Sequence, residues 1–234
     1  MSPQPGASAV KVLVIGASRG IGREFVVQYL ADRAQVTATA RTPEDLAALE
    51  STGATAFALD LVDAASVSGL GSHIGPHIDR AGFDLVIVNA GVYGPATDGL
   101  ETPTQADFDR VMHTNVLGAM RVIPQLADAL APGARLAVLS SRMGSIGERS
   151  NAVGWLYRAS KAALNSVLKD TSIALAGRAI CVALHPGWVR TDMGGAAAEL
   201  TPAKSVADMR RTLAGLTPSH NGAFLNHDGT PIAW

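Results

Sequence analysis

The chain has 234 residues, of which 47% are hydrophobic and 17% charged, and its formal net charge is −1. That length can bury the core of one large domain, and that apolar content excludes a disordered protein. The near-neutral charge carries no electrostatic footprint for nucleic acid or an anionic membrane surface, and no apolar run reaches the length of a bilayer span.

Residues 1–9 read as a flexible leader, because MSPQPGASAV lacks the basic region and long apolar core of a secretory signal. Beyond it, short apolar runs predict strands at 11–16, 35–40, 54–60, 83–91, 134–141, 179–187 and 222–229. Longer stretches predict helices at 20–33, 43–51, 63–81, 104–131, 155–177 and 202–216. The strands are apolar without alternation, as a sheet covered on both faces requires. Strands alternating with helices imply right-handed βαβ units and a parallel sheet. The expectation is therefore an α/β chain folded as one doubly wound domain over 1–234, with ligands at the carboxyl ends of the strands.

The first strand runs into GASRGIG, with Gly16, Gly20 and Gly22. Such a turn lets the backbone approach a pyrophosphate, while the helix that follows offers its N-terminal amides to the anion. Glycine turns of this kind also serve methyltransferases and plain structure, so this one acquires meaning from its place after the first strand. About 20 residues further on, a fold of this kind selects NAD with an acid. Here the chain reads Ala40-Arg41-Thr42, with no acid. Arg41, with Arg19 from the glycine turn, is placed to meet a 2′-phosphate, because a guanidinium fork binds phosphate oxygens in pairs. NADP(H) is therefore expected over NAD(H).

His73 and His77 stand four apart without a third ligand type nearby, so they read as a solvated helix face and no metal is expected. The single cysteine, Cys181, lies in the apolar run AICVAL and reads as a buried thiol in a reducing, cytoplasmic setting. Near the middle of the chain, WLYRASKAAL places Tyr157 and Lys161 one helical turn apart on one face. A free phenol has a pKa of ~10. A cation at ~4 Å in an effective dielectric of ~20 contributes ~4 kcal/mol, or ~3 pKa units, which would bring the phenol near neutrality. An interfacial tyrosine beside a snorkelling lysine is the competing reading. Ser141, with Ser140 as its competitor, ends a strand where a hydroxyl can stabilise developing negative charge.

GASRGIG, Asn89-Ala90-Gly91, Ser141, YRASK at 157–161 and HPGWVRTD at 185–192 together resemble the short-chain dehydrogenase/reductase family, in order and over nearly the whole chain. SSRMGSIG, YRASKAALN and the ending FLNHDGTPIAW resemble its C-factor-like branch more narrowly. The resemblance implies a Rossmann-type fold with a seven-stranded, mostly parallel sheet of order 3-2-1-4-5-6-7 and helices on both faces. It implies an oxidoreductase that passes hydride between a nicotinamide dinucleotide and a small carbonyl or alcohol. Tyr157 would be the general acid/base, Lys161 its pKa partner and a ligand of the nicotinamide ribose, and Ser141 (the serine just before x-x-Gly) the hydrogen-bond partner of the substrate oxygen. Asn115 would bend its helix and hold a water behind the lysine. Gly16, Ser18, Arg19, Gly20, Ile21 and Gly22 would cradle the dinucleotide phosphates, Asp60 and Leu61 the adenine, and Asn89, Ala90 and Gly91 the adenosine ribose. Pro186, Gly187, Val189 and Thr191 would hold the carboxamide. The helices over 104–131 and 155–177 would meet a symmetry mate in a homo-dimer or homo-tetramer.

Two departures stand out. The family's threonine before the first glycine is Ile15 here, which removes a hydroxyl that would pin the turn. Ser141 and Tyr157 are 16 positions apart, more than is usual, so an insertion around GERSNAVG should shape the substrate site. Tyr93, Met143, Ile146, Trp155, Trp188 and Met193 are candidates for its apolar lining. Two other readings stay open: a non-catalytic dinucleotide sensor, or a C-factor-like signalling protein. A sugar-nucleotide epimerase would need a larger C-terminal domain than this chain has room for, and a methyltransferase would leave Tyr157 and Lys161 unexplained.

Overall fold

The computed structural model describes residues 9–75 and 82–234. Most of the expected leader, the end of the helix expected over 63–81, and His77 lie outside the described residues. Seven strands form one sheet: β1 (Lys11–Ile15), β2 (Gln35–Ala40), β3 (Thr55–Ala58), β4 (Phe83–Val88), β5 (Leu130–Leu139), β6 (Ala179–His185) and β7 (Ala223–Asn226). Their order is β3-β2-β1-β4-β5-β6-β7, the order expected. Every neighbouring pair is parallel, so the sheet is parallel throughout rather than mostly.

Successive residues of a strand face opposite sides of the sheet. Val12 and Val14 of β1 join one core with Phe25, Leu49, Met209 and Leu213, from the helices α1 (Gly20–Ala31), α2 (Pro43–Glu50) and α8 (Pro202–Ala214). Leu13 and Ile15 join the other, with Leu70, Leu126, Leu164 and Leu168. Both faces of β1 are thus closed, which is why its sequence is apolar from Val12 to Ile15. Thr42 and Thr201 cap α2 and α8 through their hydroxyls, each followed by a proline at the first turn.

Two expected helices are interrupted. The stretch from 63 divides at Gly69 into α3 (Ala64–Ser68) and α4 (Leu70–Ile74). The stretch 104–131 resolves into α5 (Gln105–Met112), a π-helical turn (His113–Leu117) and α6 (Gly118–Ala127), and β5 begins as early as Leu130. The π-turn has an identifiable cause. Asn115 is buried, and its carboxamide accepts from the Val92 amide at 2.8 Å and donates to the Val92 carbonyl at 2.8 Å and the Ser160 hydroxyl at 2.9 Å. An α-helix widens locally where a side chain must serve such a partner, and π-turns concentrate at functional sites. Cys181 is fully buried as a free thiol, and burial pushes its pKa up to about 11, so it is an inert core residue.

Asn115→Ala would leave the Val92 amide and carbonyl without partners. Each such loss costs ~1–3 kcal/mol. The variant is expected to lose about 2 kcal/mol or more of unfolding free energy in urea titrations.

Candidate active site

A cleft of about 450 Å³ opens along the carboxyl ends of the central strands. A smaller cavity of about 300 Å³ between α8 and β7 involves none of the candidate residues. The cleft begins at the glycine turn. Gly16 has φ +85°, and a Cβ there would stand 2.7 Å from that of Ala90. A Cβ on Gly22 would meet the Gly16 carbonyl at 2.2 Å. The hydroxyl absent at Ile15 is supplied from the neighbouring strand, where Thr39 Oγ1 accepts from the Gly16 amide at 3.0 Å. Asn89 closes the turn by donating to the Gly16 carbonyl at 2.6 Å. Unlike α2 and α8, α1 receives no side-chain cap at its N-terminus, where Arg19 stands. Its first amides are left for an anion in the cleft. This turn, and the bare Gly91 beside Lys161, fit a dinucleotide.

At the far end the cleft wall includes Arg41, Asp60 and Leu61. Asp60 also closes a local turn by accepting from the Val62 amide at 3.0 Å. Arg19 is ion-paired with Asp192 across the mouth, both side chains being exposed. An exposed pair of this kind contributes little stability, so Arg19 is available to an anionic ligand.

The chemistry-bearing end is built on α7 (Trp155–Ala174). Tyr157 and Lys161 are both buried there. Lys161 Nζ donates to the Leu139 carbonyl at the end of β5 at 2.8 Å. It also lies 3.3 Å from where a Cβ on Gly91 would be, so only glycine fits that position comfortably. Nζ stands 5.7 Å from the centroid of the Tyr157 ring. Ser141 follows β5, where its hydroxyl accepts from the Met143 amide at 3.2 Å and draws the pKa of the Tyr157 phenol down. The Ser140 hydroxyl is committed to Asn165 Oδ1 at 2.6 Å.

The electrostatics differ from the sequence expectation. Burial raises the Tyr157 phenol to about 12, with the Ser141 hydroxyl pulling the other way. The same burial lowers Lys161 to about 8. The ammonium is directed at the Leu139 carbonyl rather than at the phenol oxygen, so desolvation outweighs its attraction. The free protein therefore holds a neutral phenol, which is a proton donor.

Most of the residues singled out in the sequence line this cleft: Gly16, Ser18, Arg19, Gly20, Ile21, Arg41, Asp60, Leu61, Asn89, Ala90, Gly91, Tyr157, Lys161, Pro186 and Thr191. Gly22, Gly187 and Val189 sit behind its walls instead. Gly22 packs under the turn, Val189 bridges to Leu200, and a Cβ on Gly187 would strike the Leu200 side chain. Asn115 and Ser141 stand against Lys161 and Tyr157 rather than on the main wall. Sequence reading missed Thr39, whose role depends on a strand pairing. Tyr93, a candidate for the apolar lining, packs its ring on Tyr157 with centroids 4.7 Å apart. The insertion before Tyr157 is pinned by Arg158, which donates to the Val153 carbonyl at 2.8 Å and Asn151 Oδ1 at 2.6 Å. Its end docks through Gly154, whose amide donates to the Thr97 carbonyl at 2.9 Å.

A glycine turn uncapped toward an anion, followed in order by the Ser141, Tyr157 and Lys161 cluster, matches a known family model. Residues 10–200 match that of the short chain dehydrogenases. The chain belongs to the short-chain dehydrogenase family. Among its relatives is the "C-signal" of Myxococcus xanthus, 41% identical over 154 residues, which covers 64% of this chain and 92% of that one. The carbonyl reductase Sniffer of D. melanogaster superposes with a TM-score of 0.87 at 29% identity, covering 97% of this chain and all of that one. A carbonyl reductase from Pseudomonas aeruginosa PAO1, in complex with NADP, superposes with a TM-score of 0.82 at 32% identity over 97% of this chain and all of that one. As a short-chain dehydrogenase the chain is an oxidoreductase that uses a nicotinamide dinucleotide and acts on a small molecule. No helix among the described residues is long and apolar enough to cross a membrane.

A buried lysine whose pKa is lowered binds fewer protons folded than unfolded. It therefore opposes folding below pH about 8, and the penalty fades as the pH rises toward the unfolded value of 10.5. Lys161→Met is expected to unfold at a higher urea concentration than the wild type at pH 7. Repeating the titration at pH 8, 9 and 10 should show the gap narrowing; a gap that widens would contradict the assignment.

Proposed function

We propose that this short-chain dehydrogenase is an NADP(H)-preferring reductase of aldehydes or ketones. The observation that carries the reading is the joint burial of Tyr157 and Lys161 beside Ser141, at the strand ends where the dinucleotide cleft finishes. When bound, the nicotinamide supplies or accepts the hydride. The chain's own residues do the rest. The neutral Tyr157 phenol gives its proton to the substrate oxygen. The Ser141 hydroxyl holds the same oxygen and stabilises charge that develops on it. Lys161 keeps a positive charge close to the phenol and stabilises the tyrosinate left after the proton has gone. Asn115 fixes the backbone at Val92 and the Ser160 hydroxyl against this turn of α7. The glycine turn, with the uncapped start of α1, would hold the pyrophosphate.

The cofactor preference is supported by Arg41 on the cleft wall, by the lack of an acid in the Ala40-Arg41-Thr42 stretch that ends β2, and by the NADP found in the Pseudomonas relative. Arg19 would leave Asp192 for the 2′-phosphate. A homo-dimer or homo-tetramer is also proposed, because Phe108, Met120 and Ile173 stay exposed on the helices expected to pair. A second reading, a signalling role like that named for the Myxococcus relative, is favoured by the 41% identity. It gives no use to the phenol.

Tyr157→Phe is expected to lower turnover ~10²–10⁴-fold while leaving cofactor affinity in place, as for the loss of a general acid. Reduction of an aldehyde, ketone or quinone panel, followed at the nicotinamide absorbance, tests this; wild-type rates in the Phe variant would overturn the assignment. Arg41→Ala should raise the KM for NADPH about tenfold or more and leave that for NADH nearly unchanged, consistent with the loss of a charge-assisted phosphate contact. Equal losses for both cofactors would remove the 2′-phosphate from the account.

A further inference from the structure

The last residues of the chain are tied to the loop that follows the candidate catalytic serine. After Ser141, a short 3₁₀ turn (Arg142–Gly144) leads into residues 145–148. Ser145 is fully buried, and its hydroxyl donates to the Ala233 carbonyl at 2.6 Å. The amides of Ile146 and Gly147 both donate to the Trp234 carbonyl, at 3.2 and 2.8 Å. In return the Ala233 amide donates to Glu148 Oε1 at 3.3 Å, while Glu148 Oε2 pairs with Arg142 at 3.3 Å.

This segment is itself anchored. The Ile232 side chain is buried in the core, and its amide donates to the Phe224 carbonyl of β7 at 2.8 Å. The Trp234 ring packs on Phe224, centroids 5.5 Å apart. At the other end of the connection, the 3₁₀ turn lies flat on α7, where a Cβ on Gly144 would stand 2.8 Å from the backbone of Lys161. A continuous set of contacts thus runs from β7 through Ala233 and Trp234 to the turn that carries Ser141 and touches Lys161.

We propose that Ala233 and Trp234 are positioning residues for the reaction: they clasp residues 145–148, and through the 3₁₀ turn they hold Ser141 in register with Tyr157 and set one rim of the substrate site at Ile146. The main-chain carbonyls act in this, and the indole serves as their anchor. The cofactor cleft is lined by other segments, so the clasp should alter turnover and substrate KM without altering dinucleotide affinity.

The inference rests on the reductase reading, and the test separates the two. Three changes are compared with the wild type on one carbonyl substrate: removal of residues 233 and 234, Ser145→Ala, and Trp234→Phe. Removal should lower kcat about ten- to a hundredfold, as expected of a misplacement on the order of 1 Å, with the dissociation constant for NADPH unchanged within about twofold. Ser145→Ala should show a smaller loss in the same sense, and Trp234→Phe, which keeps the carbonyl and the aromatic packing, should stay near wild type. In a Ser141→Ala background, Ser145→Ala should cause no further loss, since the clasp acts through that serine. This cycle also decides the matter should the shortened chain not fold. Wild-type kcat and KM after removal of both residues, or full additivity in the cycle, would overturn the clasp. Hydrogen exchange at the Ile146 and Gly147 amides needs no turnover. Slow exchange in the wild type that Ser145→Ala accelerates supports the clasp even if no carbonyl compound is reduced and the reductase reading fails. Fast exchange in the wild type counts against the clasp by itself.

Discussion

The burial of one ammonium group organises this molecule. Lys161 carries its charge into the interior with the Leu139 carbonyl as its hydrogen-bond partner among the described residues. Desolvating a cation is expensive, and the lowered pKa of about 8 records that cost. The surroundings are shaped to permit it. Gly91 has no side chain where one would crowd Nζ. Gly144 lets the turn after β5 lie on the helix backbone, and Asn115 widens its own helix to tie Val92 to this same turn of α7.

From that constraint follows the division of labour between the two titratable groups. The same desolvation that weakens the lysine as an acid-stable cation strengthens the phenol's hold on its proton, at about 12 in the free protein. The pair is thus set with a neutral donor beside a cation. Charge arriving on the substrate oxygen, or left on the phenol, would be met by groups already in place rather than by reorganising water. Pre-positioning of this kind costs stability and is tolerated where function requires it.

Much of this was readable from the residues. The strands announced themselves because a sheet covered on both faces leaves few polar positions, as Val12 through Ile15 illustrate. The glycine turn, Tyr157 and Lys161 carry spacing that chemistry dictates. What escaped depends on partners far apart in the chain. The resemblance implied that Asn115 bends its helix, but the form of the bend, a π-turn, arises from its pairing with Val92, which no local propensity signals. Thr39 replaces the hydroxyl absent at Ile15 only because β2 lies beside β1. The direction of the Tyr157 shift was misjudged because a helical spacing fixes a side chain's neighbour but gives neither its depth nor where that neighbour's charge points.

The central claim is that the free protein holds Tyr157 neutral by burial, with Lys161 turned to the Leu139 carbonyl. Ultraviolet absorbance of tyrosinate, titrated with pH in the wild type and in Tyr157→Phe, isolates this one phenol in the difference between the curves. The account predicts that the difference develops well above pH 10, near 12 or with alkaline unfolding. A difference that appears between pH 7 and 9 would mean that the lysine already dominates the phenol in the free protein, and would contradict it.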